Sequence, residues 1–462
     1  MRSIRVALTV SVAIIAVSGS TWAQPPASST SAALPGQRLS PQQWAATWDV
    51  EKVSWPVPPL VRHADVEARL REVRQATPDL FQLEEIGRSV EGRSINHLWF
   101  GRGPTHVLLW SQMHGDEPTA TAALFDIFEH VRRHRGTPIV RGILNSLTVH
   151  VVPMLNPDGA ERFQRRNAQE IDINRDALRL QSPEGRALKA LRDRLNPEVG
   201  FNLHNQSWTT SAGKTKEPAS ISLLSVAFDE ARTESPGRLL TKQICAVIRE
   251  ALEPLAPGRI GRYDDEFEVR AFGDNVTKWG TNVVLIETGP WPAAEPDPHL
   301  VRLNFVALMT ALDALATGRV RQADKKVYES LPVNESNEFY LLIRNAAVVS
   351  GTGIAPFTAD IGIVAKRVVR GEGGERTTQL EAQIDDLGDL HPFGALEDVN
   401  AAGLVVAPRW DPAIKAGDRL SLPDWSAKKA EKTVAPGQPA ELLLLQQEGS
   451  TNTYRVVRVI AY

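Results

Sequence analysis

The amino-acid sequence predicts an α/β fold with a mixed, largely parallel sheet flanked by helices, followed by a C-terminal all-β region. Between residues 40 and 317, short apolar runs alternate with amphipathic helical runs, which is typical of parallel sheets whose strands are connected by helices. After residue 338 the helical periodicity ends, and short strands and turns follow one another. Hydrophobic residues make up 42% and charged residues 23% of the 462 residues, so the chain can bury full cores.

The first 23 residues resemble a secretory signal peptide. Arg2 and Arg5 precede an apolar run at residues 6–17, which has the length of a signal-peptide core and is too short for a membrane span. Small residues predict cleavage after Ala23, and no later run approaches the roughly 20 apolar residues that a span needs. We therefore expect a periplasmic or secreted protein without a stable membrane anchor. An uncleaved N-terminal anchor is the alternative.

The elements of the region 40–317 follow from hydrophobic periodicity. A flexible lead-in rich in Pro, Ser and Ala precedes them at residues 24–39. An amphipathic helix then breaks at Pro78 and leads into a strand. Further strands are predicted at INHLWFG, HVLLWSQMHG, LTVHVVPML, GFNLHNQ and TNVVLIETG, and further helices at TAALFDIFEHVRRH, PEGRALKALRDRL and PGRLLTKQICAVIREAL.

Polar side chains stand at or just after the ends of four predicted strands. They are His114, Asn156, His204 and Glu287. In open α/β sheets, ligands bind at the carboxyl ends of the strands. The sequence therefore predicts a functional site at this edge of the sheet.

The HGDE motif is a candidate for two ligands of a metal ion. His114 and Glu117 are three residues apart, and on the first turn of a helix such residues share a face. A catalytic zinc ion has three protein ligands and one open position for water. The single cysteine, Cys245, excludes a cysteine-rich zinc site and an internal disulfide, and we expect it to be a buried apolar residue.

The third ligand has to come from another strand end. Of the ten histidines, His204 is the best placed, because it ends an apolar run and polar residues follow it. His150 lies within a predicted strand, where we expect a satisfied core or surface residue. His130 and His134 follow the helical run EHVRRH and are expected to be solvated. From the residues alone, the third ligand stays open.

Six motifs occur along the chain in a fixed order: HGDE at 114–117, NPDG at 156–159, RRN at 165–167, IDINRD at 171–176, NLH at 202–204 and IETG at 286–289. In this order the chain resembles the zinc carboxypeptidases of the carboxypeptidase A family, over roughly residues 60 to 315. It departs from them at Glu170, where relatives commonly have Gly, and at Asp176, where digestive members have Asn. Asn205 and Gln206 also differ. These departures favour a bacterial branch with its own substrate.

The resemblance implies one Zn²⁺ ion held by His114, Glu117 and His204. It further implies that Glu287 is the general base, which takes a proton from zinc-bound water and passes it to the leaving amine. The physical chemistry agrees, because zinc lowers the pKa of its water while a nearby carboxylate is still needed to carry the proton. Partial burial at the end of the strand VVLI would tune the basicity of Glu287.

Further roles follow from the resemblance. Arg165, or the adjacent Arg166, matches the arginine that stabilises the oxyanion formed during attack. Asn174 and Arg175 resemble the pair that binds the terminal carboxylate of the substrate, to which an arginine can make two parallel hydrogen bonds. Tyr263 matches the mobile tyrosine of the family.

The roles of Tyr263 and of a further residue, Arg270, have open alternatives. Tyr263 precedes the acidic run Asp264, Asp265 and Glu266, which could equally be a solvated loop. Arg270 lies near the position that sets side-chain preference in the family. If it lines that pocket, acidic terminal residues would be favoured.

A polar connector at residues 318–337 leads to a predicted β-rich accessory domain at residues 338–462. Its strand pattern resembles the small β-domain that flanks the barrel in amidohydrolases. The HxH metal motif of those enzymes has no counterpart in the equivalent stretch RWDPAIKAGDRL, which lacks histidine. We expect a non-catalytic domain whose partner is unknown. Generic strand patterning is the alternative.

Taken together, the sequence predicts an exported zinc metallocarboxypeptidase that hydrolyses peptide bonds at the C-terminus of peptides with a free carboxylate. One alternative is a zinc amidase or endopeptidase acting on cell-wall peptides. Another is a catalytically inactive peptide- or carbohydrate-binding protein on the same fold. The net charge of −3 produces no strong electrostatic attraction to nucleic acid, so nucleic acid is not an expected partner.

Overall fold

The computed structural model describes residues 38–53, 60–215, 217–292, 297–371, 376–425, 429–449 and 452–462. The predicted signal peptide and most of the lead-in lie outside these residues. The described helices are α1 (Pro41–Glu51), α2 (His63–Ala76), α3 (Thr119–His134), α4 (Pro138–Ser146), α5 (Pro157–Arg162), α6 (Pro183–Leu195), α7 (Pro236–Leu252), α8 (Phe272–Lys278), α9 (Asp297–Ala316) and α10 (Lys325–Glu329).

Residues 81–288 build a mixed sheet whose strands lie in the order β1-β2-β4-β3-β5-β9-β7-β8. Their bounds, together with β6, are β1 (Phe81–Arg88), β2 (Ser94–Gly101), β3 (Thr105–Ser111), β4 (Leu147–Val152), β5 (Val199–Asn205), β6 (Thr210–Ala212), β7 (Ile221–Ser225), β8 (Ile260–Arg262) and β9 (Asn282–Thr288). The central strands β4, β3, β5 and β9 are mutually parallel, whereas β1, β2 and β7 pair with antiparallel neighbours.

The central strands are buried on both faces, as their continuous apolar runs predict. Along β5, Phe201 and Leu203 belong to the larger hydrophobic core, which α3, α7 and α9 complete. On the opposite face, Trp110 and Leu285 belong to a second core against α6 and α8. The predicted fold class is therefore confirmed: a mixed sheet flanked by helices, with a sheet-rich C-terminal region.

Helix starts follow local sequence signals. The hydroxyl of Ser182 accepts a hydrogen bond from the backbone N–H of Gly185, and that of Ser235 accepts one from Arg238. Each serine is followed by proline at the first helical position, where the missing N–H costs no intrahelical bond. Cys245 lies fully buried within α7, as expected.

Helix α9 corrects one sequence expectation. It spans 20 residues and, among the described helices, it is long and apolar enough to cross a membrane by length and composition. However, 78% of its apolar window is buried inside the fold, where α9 packs against α3, α7 and α1. A buried core helix meets the same criteria, so this observation does not indicate a membrane span.

The C-terminal region is a second sheet with the strand order β13-β12-β11-β15-β17-β18-β16, in which β14 also pairs with β11. Its strands are β11 (Phe339–Val348), β12 (Phe357–Arg370), β13 (Thr377–Gly388), β14 (Ala395–Asn400), β15 (Val405–Pro408), β16 (Arg419–Leu420), β17 (Leu442–Gln447) and β18 (Tyr454–Ile460). Before it, β10 (Asn334–Ser336) pairs with β6. The exact domain boundaries remain a prediction.

Candidate functional site

The HGDE motif lies in a turn between β3 and α3. The backbone N–H of Glu117 donates to the carbonyl of His114 at 3.2 Å, and α3 begins only at Thr119. The expectation that the two residues share the first turn of a helix is therefore wrong, although the turn still brings their side chains together. Gly115 permits this turn to meet the NPDG segment, since a Cβ on it would lie 1.9 Å from the carbonyl carbon of Gly159.

Three side chains direct potential ligand atoms at one point. Nδ1 of His114 lies 2.7 Å from one oxygen of Glu117, and Nδ1 of His204 lies 2.7 Å from the other. The two ring nitrogens are 3.2 Å apart. All three residues are buried. Two imidazoles and one carboxylate are a ligand set of catalytic zinc, so these residues fit a zinc ion.

Asp172 orients one of these histidines, and the sequence analysis had not singled it out. Its Oδ1 lies 3.2 Å from Nε2 of His114, the ring nitrogen that faces away from the convergence point. Carboxylates in this position fix the orientation of a metal-binding imidazole and raise its basicity. The only sequence signal was the place of Asp172 in the IDINRD motif, two residues before Asn174.

Glu287 lies beside His114, Glu117 and His204, which together form the candidate ligand group. It pairs in register with His204 on the neighbouring parallel strand, so their side chains emerge on the same face of the sheet. Its Oε2 is buried and has no hydrogen-bond partner among the described residues. Burial raises the pKa of Glu287 well above its usual value, and the negative charge of Glu117 adds to this effect. A carboxylate with a raised pKa is suited to accepting a proton near neutral pH.

The ligand group has a strongly perturbed protonation equilibrium. Burial lowers the pKa of His114, but Glu117 and Asp172 outweigh it and raise this pKa to about 9. Burial lowers the pKa of His204. Burial raises the pKa of Glu117, but the two histidines outweigh it and hold the pKa below its usual range. Glu117 and Asp172 therefore stabilise a positive charge at His114, which lies between them.

The structure distinguishes Arg165 from its neighbour Arg166. Nε of Arg165 donates to Asp172 at 2.9 Å, and its Nη1 lies 3.1 Å from Nδ1 of His114. Arg166 instead donates to the backbone carbonyl of Glu170 and is exposed. Glu170 has a φ of 59°, a left-handed conformation that glycine adopts most easily, and this is the position where relatives commonly have Gly.

Asn174 and Arg175 lie on a short 3₁₀ turn, Ile173–Arg175, and both are already engaged. Oδ1 of Asn174 accepts a hydrogen bond from the backbone N–H of Phe272 at 2.9 Å. Nε of Arg175 lies 3.2 Å from Oε2 of Glu268. Glu268 also binds Arg270 through two hydrogen bonds of 3.1 Å. Glu268 had not been identified from the sequence.

Tyr263 follows β8, and its backbone N–H donates to Leu223 at 3.0 Å. Tyr263 as a whole is 37% exposed. Burial of the hydroxyl raises the pKa of Tyr263 to about 12, and the nearby charge of Glu287 acts in the same direction. Tyr263 therefore lies close enough to Glu287 for their charges to interact, and its role in substrate binding stays a prediction.

Two histidine expectations have different outcomes. His150 is buried and satisfied, since its ring nitrogens lie 3.0 Å from nitrogens of His97 and His106. His130, which was expected to be solvated, is buried against α1. The helical run alone gives no information about which segment covers it.

Comparison with known proteins supports a family assignment for part of the chain. Residues 66–236 match the family model described as zinc carboxypeptidase. This stretch includes His114, Glu117, Arg165, Asn174, Arg175 and His204, and it ends before Tyr263 and Glu287. The resemblance inferred from the motifs is confirmed.

Individual relatives match over short stretches. The chain is 33% identical to carboxypeptidase E of Caenorhabditis elegans over 135 residues, which cover 24% of this chain and 28% of that protein. It is 31% identical to the carboxypeptidase N catalytic chain of Rattus norvegicus over 137 residues, which cover 25% of this chain and 30% of that protein. The chain thus spans less than a third of the length of these curated relatives.

Among solved structures, a metallo-carboxypeptidase from Burkholderia cenocepacia superimposes with a TM-score of 0.44 and 20% identity, over 54% of this chain and 68% of that one. A metallo-carboxypeptidase from Pseudomonas aeruginosa, solved with (2-guanidinoethylmercapto)succinic acid, gives a TM-score of 0.43 and 18% identity, over 54% and 69%.

Proposed function

We propose that this chain, whose residues 66–236 match the zinc carboxypeptidase family model, is an exported zinc metallocarboxypeptidase that removes C-terminal residues from peptides. The observation that carries the proposal is the convergence of His114, Glu117 and His204, with ligand atoms 2.7 to 3.2 Å apart, next to the buried carboxylate of Glu287. A ligand group and a base together favour an enzyme over a binding protein on the same fold.

The proposed chemistry divides between the metal and the side chains. Zinc, when bound, polarises the scissile carbonyl and lowers the pKa of a coordinated water. Glu287 accepts the proton of the attacking water and delivers it to the leaving amine. Its buried, unpartnered Oε2 supports this role, because no hydrogen bond from a described residue has to be broken first.

Arg165 supplies a fixed positive charge beside the ligands. Because its guanidinium is held by Asp172, it is preorganised to stabilise the negative charge that develops on the carbonyl oxygen during attack. The side chain is 43% exposed, so part of it remains accessible to a substrate from solvent.

Asn174 and Arg175 are the proposed site for the terminal carboxylate, with Tyr263 closing over the substrate. A carboxylate can form two parallel hydrogen bonds with an arginine. In the structure Glu268 lies against this arginine, so an incoming carboxylate has to compete with it or displace it. We therefore expect substrate binding to move Arg175 away from Glu268.

The hypothesis that Arg270 selects acidic terminal residues is weakened by the same carboxylate. Both of its hydrogen bonds go to Glu268, so much of its charge is balanced. Assays with peptides ending in Glu, Lys or Leu test this hypothesis. Cleavage of the Lys peptide that equals or exceeds cleavage of the Glu peptide would reject it.

Export is part of the proposal because of the N-terminal pattern, which has a positive start, a short apolar core and small residues before the predicted cleavage after Ala23. Expression of the full chain in a bacterial host, followed by fractionation and N-terminal sequencing, tests it. A mature protein that begins at Gln24 in the periplasm or medium is expected. An intact N-terminus in the cytoplasmic fraction would contradict export.

A digest of a peptide library, read by mass spectrometry with and without a chelator, tests the reaction itself. Loss of single C-terminal residues, abolished by the chelator, is expected. Internal cleavage, or cleavage of C-terminally amidated peptides as fast as of free acids, would instead favour a zinc amidase or endopeptidase acting on cell-wall peptides. No cleavage of any peptide would favour a binding protein.

A further inference from the structure

One face of α3 carries a second group of potential ligands, far from the candidate active site. His130 and His134 are four residues apart and therefore share a face of the helix. That face packs against α1. His130 lies 11 positions beyond Thr119, the first residue of α3, which corresponds to about 16 Å along the helix axis, so an ion at each group would bind independently.

Helix α1 presents a carboxylate to the two histidines. Oε2 of Glu51 lies 3.1 Å from Nδ1 of His130, and Oε1 lies 2.6 Å from Nε2 of His134. The potential ligand atoms of the three residues all lie within 4.8 Å of one another. The carboxylate thus stands between two imidazole nitrogens, the same combination of residue types as in His114, Glu117 and His204.

His130 is packed against aromatic rings, whereas Glu51 and His134 are partly exposed to solvent. The His130 side chain is 5% exposed, and its ring packs edge-on against Trp44 and Phe305. The side chains of Glu51 and His134 are 19% and 32% exposed. Water can therefore reach the group and complete a coordination shell.

We propose that Glu51, His130 and His134 bind a divalent transition-metal ion such as Zn²⁺, and that this ion fastens α1 to α3. Imidazole and carboxylate ligands suit Zn²⁺, Co²⁺ and Ni²⁺ better than Ca²⁺ or Mg²⁺, which favour all-oxygen sites. The ligands come from two helices, so the ion can bind only when α1 is docked against α3. Because the ion binds the folded chain and not the unfolded one, its binding stabilises the docked position of α1. The site is structural and independent of the proposed peptidase reaction.

Equilibrium dialysis of the full chain against Zn²⁺, read by elemental analysis, tests this proposal. Wild type is expected to bind two ions per chain, and His134→Ala is expected to bind one, with peptidase activity retained. His204→Ala is expected to bind one, and the double variant none. His391→Ala, which removes an exposed histidine elsewhere, serves as the control and should still bind two.

Thermal unfolding in the His204→Ala background gives a second readout that a hydrogen-bonded Glu–His–His group alone would not produce. Zn²⁺ should raise the Tm of His204→Ala and leave the Tm of His204→Ala/His134→Ala unchanged. Glu51→Gln retains hydrogen-bonding capacity but removes the anionic ligand, and it should bind the second ion more weakly. A wild-type stoichiometry of one, or two ions in His134→Ala, would overturn the proposal.

Discussion

Two groups in this molecule contain the same residue types, two histidines and one glutamate, in very different surroundings. His114, Glu117 and His204 lie at the carboxyl edge of the central sheet and are bordered by charged side chains. Glu51, His130 and His134 lie between two helices, against the rings of Trp44 and Phe305.

The difference teaches that ligand types alone do not make a catalytic centre. At the sheet edge, β5 and β9 place His204 beside Glu287, the proposed base. The segment after α5 brings Asp172 and Arg165 next to His114. Between the helices, His130 packs against the rings of Trp44 and Phe305. The first arrangement is suited to chemistry and the second to holding elements together.

The largest expected effect on activity comes from replacing Glu287 by Gln, which tests whether the group at the sheet edge is the catalytic one. The amide cannot accept the proton, so peptide hydrolysis should fall by about 10³-fold or more, given that a general base contributes about 10² to 10⁴. Zinc content should not change, because Glu287 is not a proposed ligand. Steady-state kinetics and elemental analysis measure both, with exposed Glu230→Gln as the control. Turnover that survives would show that the proposed base is wrong.

Replacing Arg175 by Ala tests whether the sheet-edge site recognises a terminal carboxylate. Hydrogen bonds to charged groups are worth about 1.5–3 kcal/mol, so kcat/KM for free-acid peptides should fall by about 10- to 100-fold. C-terminally amidated peptides should be affected much less. Arg179→Ala, an exposed neighbour, is the matched control. An equal loss on both peptide types would argue against carboxylate recognition.

Replacing Asp172 by Asn tests the orienting carboxylate beside His114. Loss of such a partner typically weakens metal affinity or activity by about 10- to 100-fold. Competition with a chelator measures zinc affinity, and surface Asp193→Asn provides the comparison. Unchanged zinc affinity would mean that the 3.2 Å contact with His114 Nε2 does not act through the metal site.

The smallest expected effect is a change in the pH dependence of stability, and it concerns Asp126, which lies on α3 one turn before His130. Its carboxylate accepts hydrogen bonds from Nε1 of Trp48 at 2.6 Å and from the backbone N–H of Val53 at 2.9 Å. Burial raises the pKa of Asp126 to about 6, although these bonds and the nearby charges of Lys52 and Arg69 oppose the shift.

Because this pKa is raised in the folded state, the contribution of Asp126 to stability is greatest below about pH 4 and is lost as the pH rises through about 6. Asp126→Asn should remove about 2 kcal/mol of this pH dependence. Urea unfolding between pH 4 and 7 measures it, with exposed Asp79→Asn as the control. Parallel pH profiles for wild type and Asp126→Asn would contradict the expectation.

Several features were predictable because their signals are local. Apolar runs identified the central strands, and Ser-Pro pairs marked the starts of α6 and α7. The order of six short motifs indicated a resemblance to zinc carboxypeptidases, which the match over residues 66–236 confirms. Such signals can be recognised in the sequence alone because they depend on residues that are close together along the chain.

Other features depended on distant segments. The helical run EHVRRH indicated a solvated face, but α1 covers it and buries His130. Glu268 lies more than 90 positions beyond Arg175 in the sequence, yet it forms an ion pair with it. No local pattern predicts such contacts, because the partner segment is chosen by packing.

By itself, the sequence determined the fold class, the resemblance to zinc carboxypeptidases and the residue types that can hold zinc, since these rest on periodicity and motif order. Only the tertiary structure decided which side chains meet: that Asp172 orients His114, that Arg165 rather than Arg166 turns inward, and that Glu51 joins two histidines of α3. The reason is physical. Burial, charge pairing and ligand geometry arise between segments that are far apart in the chain.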